Sequence, residues 1–391
     1  MMRIVICGPA HPYRGGIAAY NERLAQQFLQ EGDAAAIYTF KLQYPSFLFP
    51  GKSQYDEGYA PEGVTITRAI NSVNPLNWFT IGLRLRRTRP DLLIFRYWLP
   101  FLAPALGFIA RIVRTNRHTR IVTIFDNVVP HEKHFGDRLL TRFFVRSIRG
   151  ALVMTKAVEN DLRQFTSTMP CVISPHPLFD NYSEQVSRAE AIVHLKLCPV
   201  DRFILFFGFI RHYKGLDLLL QAMAHPEIRD LGIKLIVAGE FYEDEKPYFD
   251  LIHRLEISDR IILHSHFISD QEVRYYFSVA SLVVQPYRSA TQSGVTQVAY
   301  NFNKPMVVTD VGGLAEIVPD GKCGYVVAPE PEAIAIAISD FFSGDEERFR
   351  QGIEEQKKLY SWDKLTEALR TLTRQTGRVR EQAIGSRVAG V

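Results

Sequence analysis

The stretch FILFFGFIRHYKGLDLLLQAM, residues 203–223, runs from an apolar string into Gly208, then Arg211, Lys214 and Gly215. Helical spacing follows at Leu216, Leu219, Leu220 and Met223. Fixed cations placed where a buried strand gives way to a helix suit an anion such as a diphosphate. A helix start offers unpaired N–H groups and a partial positive charge. Glycines there let backbone approach a ligand. Arginine adds a bidentate fork, and lysine a mobile point charge. The plainer reading is a solvated Arg and Lys near a helix start.

Two more turns have this character. In QPYRSATQSGVTQVAY, residues 285–300, a strand ends in Ser289, Ala290, Thr291, Gln292, Ser293 and Gly294 before a helix pattern near Val295. Amides there suit phosphate oxygens, and hydroxyls or side-chain amides suit sugar hydroxyls. Its plainer reading is a helix capped by Ser293. In KPMVVTDVGGLAEIVPDGKCGYVVAPEP, residues 304–331, Gly312 and Gly313 precede Glu316. A first helical turn favours that carboxylate, with or without a ligand.

The positioning elements follow a βαβα pattern. Strands are expected at 3–8, 35–40, 91–98, 120–125 and 151–156, then at 203–208, 234–239, 260–265, 281–286, 305–310 and 324–328. Short apolar strands at helix-length intervals imply parallel sheets covered on both faces. Pro175, Pro177 and the polar run after them mark a domain boundary. The expected organisation is a Rossmann-like domain over 1–175, a second over 185–359, a helix over 360–375, and a frayed tail over 376–391.

Composition sets limits. The 391 residues are 47% hydrophobic and 23% charged, as in a two-domain globular protein. Cys7, Cys171, Cys198 and Cys323 are scattered, which argues against a disulfide framework or zinc site and for a reducing cytoplasm. The start MMRIVICGPAHP lacks the regions of a signal peptide. Nine arginines and one acid, Asp91, lie between Arg84 and Arg120, around the apolar stretch 97–113. That stretch is too short to span a bilayer. It reads as a core helix with solvated arginines, or as a helix resting on an anionic membrane surface. No nucleic-acid recognition motif accompanies it.

Together, GFIRHYKGLDLLLQAM, VQPYRSATQSGVTQVAYNFNKPMVVTDVGGLAEIV and DGKCGYVVAPE resemble family 4 (group 1) of the retaining glycosyltransferases, which have the GT-B fold of two Rossmann-like, doubly wound α/β domains facing a cleft. The opening GPAHPYRGGIAAYNERLAQQF, the segment TIFDNVVPHEK and the closing YSWDKL are similar to that family as well. The resemblance runs to about residue 375. It implies that Arg211 and Lys214 hold the donor diphosphate. It also places Gly15 and Gly16 near that diphosphate and the acceptor, Ser293 and Gly294 where loop amides meet the donor, and Glu316 as the acid of a Gly-Gly-x-x-Glu segment; Gly208 of the first turn joins them as a donor candidate. The closing helix in this fold crosses back onto the N-terminal domain.

Two departures stand out. The family usually carries a pair of glutamates in the region of 290–300, but no Glu lies between Val273 and Leu314. Thr291, Gln292 and Gln297 are the nearest polar stand-ins. Neutral groups still bond sugar hydroxyls, without the charge-assisted gain. Phe125 stands where many relatives have histidine, leaving Asp126 or His131 for that cleft role.

The implied activity is transfer of a sugar from a UDP- or GDP-sugar to a glycan or lipid-linked acceptor in bacterial polysaccharide synthesis. No cofactor or metal is expected. No strict DxD motif occurs, and EDE at 243–245 reads as a solvated turn. A sugar-nucleotide-binding scaffold is the alternative that the missing glutamates motivate. A nicotinamide dehydrogenase fits poorly, because GPAHPYRGG is not GxGxxG.

Overall fold

The computed structural model describes residues 1–45, 54–55, 60–130, 134–180, 184–290 and 293–388, leaving aside the side chains of 346 and 378–388. The chain divides into two units, Met1–His176 with Trp362–Val391, and Pro177–Ser361.

In the first unit, seven described strands are β1 (Arg3–Cys7), β2 (Ala34–Leu42), β3 (Thr65–Asn71), β4 (Leu92–Tyr97), β5 (Arg120–Phe125), β6 (Gly150–Val153) and β7 (Cys171–Ile173). Between them run α1 (Gly16–Gln30), α2 (Pro75–Thr88), α3 (Ala103–Arg114), α4 (Asp137–Val145) and α5 (Lys156–Arg163). The strands pair in parallel in the order β3-β2-β1-β4-β5-β6-β7, with Ile4 opposite Leu92 and Leu92 opposite Arg120. Every residue of β4 is buried, as expected for a strand covered on both faces. Phe125 belongs to this core: its ring lies 5.3 Å from Tyr97 and 6.1 Å from Phe144.

The apolar stretch 97–113 forms the end of β4, a short 3-10 turn and most of α3. Its Leu106, Ile109, Ala110 and Val113 are fully buried, while Arg111 faces solvent. The apolar stripe is therefore core, and the arginines are what α3 presents outward. No helix among the described residues is long and apolar enough to cross a membrane.

The second unit carries α6 (Arg188–Leu195), β8 (Arg202–Phe207), α7 (Leu216–Met223), α8 (Pro226–Arg229), β9 (Ile233–Ala238), α9 (Lys246–Arg254), β10 (Ile261–His264) and α10 (Asp270–Val279). It continues through β11 (Leu282–Gln285), α11 (Gly294–Asn301), β12 (Met306–Thr309), α12 (Leu314–Ile317), β13 (Gly324–Val327), α13 (Pro331–Ser343) and α14 (Arg350–Lys357). Its six described strands are parallel in the order β10-β9-β8-β11-β12-β13.

The chain closes with α15 (Trp362–Val388), which belongs to the first unit. Leu365, Leu369 and Leu372, spaced one turn apart, are fully buried. Thr366 bonds the Glu31 carboxylate at 2.6 Å, and Arg370 pairs with Glu31 and Asp33, each at 2.7 Å. The helix runs on to Val388, where the sequence suggested a frayed tail from 376. Arg378, Arg380, Glu381, Gln382 and Ala383 are good helix formers, and the end carries no proline, although Gly377 and Gly385 interrupt it.

Candidate functional site

The second sheet reverses its winding between β8 and β11. Open parallel sheets bind ligands outside their carboxyl ends at such a point. The turns after β8 and β11 both leave from there.

The first turn is strapped down. The Gly208 N–H donates to Ala238 O at 2.9 Å, and a Cβ on Gly239 would stand 2.0 Å from Gly208 O. The Tyr242 N–H donates to Ile210 O at 3.0 Å. The Glu243 carboxylate accepts from His212 N at 2.8 Å and from the Tyr248 hydroxyl. Asp244 accepts from Lys246 N at 3.1 Å. Two acids of the EDE run are thus occupied with local bonds.

Backbone contact joins the two turns. Gly215 has φ 67°, and a Cβ there would stand 1.9 Å from Pro286 O, so both conformation and space require glycine. The Arg288 N–H donates to Tyr213 O at 2.7 Å. The Arg288 guanidinium grips Asp217, in the first turn of α7, with bonds of 3.0 and 2.7 Å.

Lys214 lies in the hollow this creates. Its Nζ is 5.3 Å from the Tyr287 ring centroid, and 3.0 Å from where a Gly208 Cβ would sit. That same Cβ position is 3.7 Å from Val295 Cγ2 at the start of α11. Tyr287 Oη lies 3.3 Å from Ser293 Oγ. Lys214 is half-buried and has no carboxylate partner among the described residues. Burial lowers its pKa most, Tyr213 opposes this, and the Arg211 charge lowers it further. Burial also pushes the Tyr287 phenol up to about 12, so it stays neutral.

The remaining candidates are placed as follows. Arg211 opens the 3-10 turn, its guanidinium 5.5 Å from the Tyr242 ring centroid. Ser293 occupies the N-cap position of α11, but its side chain makes no capping bond. Gly294 opens α11 against Phe179, 3.1 Å from where its Cβ would be. Gln297 is fully buried one turn on, and neither atom of its amide has a partner among the described residues. A buried polar group left so costs about 1–3 kcal/mol, which a water or ligand would recover. Glu316 is exposed in the first turn of α12. Thr291, Gln292 and His131 lie outside the described residues.

Gly15, Gly16 and Asp126 belong to the first unit. Gly15 caps α1 with φ 105° and Gly16 is its first residue, with no side-chain cap on the helix start. The preceding turn is braced by Asn21 Nδ2, which donates to Pro9 O at 2.8 Å, and by Thr39 Oγ1, which accepts from Ala10 N at 3.0 Å. Asp126 grips the guanidinium of Arg96 on β4, with Arg96 Nε 2.6 Å from one oxygen and Nη2 on the other. Arg96 is only 1% exposed and lies 3.8 Å over the Tyr20 ring of α1. Arg96 and Arg288 were not evident from sequence alone. The signal for Arg96 was a lone charge within the apolar strand LLIFRY.

Among the described residues no His, Cys, Asp or Glu cluster could hold a metal. Residues 191–358 match the family Glycosyl transferases group 1. A D-inositol 3-phosphate glycosyltransferase of Mycolicibacterium gilvum is 30% identical over 188 residues, 47% of this chain and 42% of that protein. The match therefore spans less than half the length of that curated relative. Sucrose-phosphate synthase from Thermosynechococcus elongatus superposes with TM-score 0.71 at 16% identity, over 98% of this chain and 100% of the other. HepE from Anabaena, in complex with UDP-glucose, gives 0.67 at 15% identity over 97% and 100%. The chain has the GT-B fold, and the match to Glycosyl transferases group 1 lies within its second unit.

Proposed function

We propose that this protein is a retaining glycosyltransferase. It moves a sugar from a nucleotide-diphosphate sugar to the hydroxyl of a glycan or lipid-linked acceptor, on the cytoplasmic side, in surface polysaccharide synthesis. The observation that carries the reading is Lys214, a half-buried ammonium with no carboxylate partner among the described residues, at the switch point of the second sheet. A diphosphate supplies the missing counter-charge. As the sugar–oxygen bond breaks, the leaving diphosphate oxygen gathers negative charge. Lys214, Arg211 and the amides at the start of α11 stabilise that charge by preorganised electrostatics. The same oxygen then accepts the proton of the incoming hydroxyl.

Tyr287 and Ser293 present neutral hydroxyls beside this lysine. Gln297 supplies a buried amide on α11 that has no partner among the described residues. Glu316 contacts the donor from α12, and Gly15 and Gly16 contribute the amides that open α1. Asp126 positions Arg96. The cations replace a divalent metal in offsetting diphosphate charge.

The test is melting of the purified protein against UDP-, GDP-, ADP-, CMP- and dTDP-sugars and nicotinamide cofactors, followed by turnover with and without EDTA. One nucleotide class should stabilise it, and turnover should survive the chelator. Selective binding without turnover on any acceptor would favour the scaffold alternative. Stabilisation by nicotinamide cofactors alone would overturn both.

A further inference from the structure

We propose a second anion site on the first unit, at the opposite end of the strands from Asp126, where a basin of arginines takes a ligand bearing two or more phosphate groups. The basin has a volume of about 630 Å³ and is lined by Arg111, Arg114, Arg117, Arg120, Arg146 and Arg149. No Asp or Glu lines it, and the polar remainder is threonine: Thr115, Thr119, Thr166, Thr168 and Thr376. Arg120 opens β5, Arg149 immediately precedes β6, and Pro170, also in the lining, immediately precedes β7. These are the amino ends of the strands, whereas Asp126 and Gly15 lie beyond carboxyl ends.

Arg111 and Arg114 are held rather than trailing. Arg111 Nε donates to Ser147 Oγ at 3.0 Å, and its guanidinium lies 4.2 Å over Phe143. Arg114 Nη1 donates to Arg146 O at 3.1 Å. The turn between α3 and β5 is pinned by Asn116 Oδ1, which accepts from His118 N at 2.9 Å and Thr119 N at 3.0 Å. Burial, then the charges of Arg149 and Arg111, lower the pKa of Arg114, so the guanidinium groups act on one another.

Several arginines elsewhere are paired with a carboxylate. Arg370 has Glu31 and Asp33, Arg163 has Glu159, and Arg288 has Asp217. In the basin, Arg111, Arg114, Arg120, Arg146 and Arg149 have no carboxylate partner among the described residues. Gathering so many like charges opposes folding unless a counter-charge arrives. Guanidinium forks bind phosphate oxygens in pairs, and a singly charged ion would leave most of the basin unneutralised. The apolar side of α3 is core, so a lipid bound here is held by its headgroup and not by inserted side chains.

The phosphates come either from a soluble polyphosphorylated molecule or from lipid headgroups, and one experiment separates them. Inorganic tripolyphosphate is titrated calorimetrically into Lys214→Met protein, which weakens binding at the donor turn. Sedimentation with phosphatidylglycerol or phosphatidylcholine vesicles runs in parallel. The comparison is the double variant Arg146→Gln/Arg149→Gln in the same background. Both side chains are exposed and make no hydrogen bond through their guanidinium groups among the described residues, so the fold should be retained. Without ligand the double variant should melt no lower than its parent, because repulsion is relieved. Its affinity for tripolyphosphate should fall about 10-fold or more. Tight tripolyphosphate binding without vesicle binding identifies a soluble ligand. Vesicle binding that needs phosphatidylglycerol, yields to tripolyphosphate and fails in the variant identifies headgroups. If neither probe binds, or the variant binds both as well as its parent, the proposal is wrong.

Discussion

Replacing Lys214 by methionine keeps the apolar stem and removes only the charge. In the ligand-free protein that charge is a burden. Its pKa is lowered by burial, with Tyr213 opposing and Arg211 adding to the shift. A lysine whose folded pKa lies below its unfolded one binds fewer protons when folded, so stability rises with pH through that window. At neutral pH, below the window, the desolvated charge counts fully against the fold. Lys214→Met should therefore melt at or above the wild-type temperature. Nucleotide binding should move the other way. Losing one charge-assisted contact to a diphosphate costs about 1.5–3 kcal/mol, or roughly 10- to 150-fold in Kd. Calorimetric titration of the nucleotide diphosphate that stabilises the wild type reads the affinity, and scanning calorimetry reads the melting. Unchanged affinity would refute the diphosphate assignment. A marked fall in ligand-free melting would refute the claim that the ammonium awaits a partner.

Two further outcomes follow from the same geometry. Because a bound diphosphate favours the ammonium form, nucleotide affinity in the wild type should decline as pH rises, beginning below the ordinary lysine range; affinity titrations across alkaline pH should lose this component in Lys214→Met. Asp126→Asn leaves the buried Arg96 guanidinium uncompensated and should cost about 3–5 kcal/mol of stability, read from denaturant midpoints, while Arg96→Met/Asp126→Leu should recover much of it. If Asp126→Asn instead folds normally and loses only kcat, the carboxylate acts on substrate.

Legibility followed burial. Strands covered on both faces, such as β4, β5, β8 and β9, wrote themselves as apolar runs and lie within about a residue of expectation. The sequence reading missed β3 and β7, which are the edges of the first sheet. In β3, TITRAIN is mostly polar or half-exposed rather than a continuous apolar run, and β7 has only three residues. An edge strand has one neighbour and half a core to fill, so its signal is weak. In the site, the cations and glycines were visible, but the reason for Gly215 was not. It lies in Pro286, far along the chain, whose carbonyl occupies the space a Cβ would need. Phe125, which the family resemblance set against a histidine, lies in an aromatic cluster with Tyr97 and Phe144.

The distribution of counter-charges separates architecture from function here. Arg96 is sealed in beside Asp126, Arg288 is clamped by Asp217, and Arg370 ties α15 to α1 through Glu31. Each of these pairs spans two elements, and each cation comes with its own anion. Lys214, Arg111, Arg114, Arg120, Arg146 and Arg149 differ: none has a carboxylate partner among the described residues. Desolvating or crowding a cation costs free energy whether or not a ligand exists. The two groups should therefore respond oppositely to neutralisation. Removing a charge from a paired site lowers stability, because its partner is stranded. Removing one from an unpaired site leaves stability unchanged or raises it, and the loss appears only when an anion is added. A chain that lost stability equally at both kinds of site would show that the missing carboxylates carry no functional meaning.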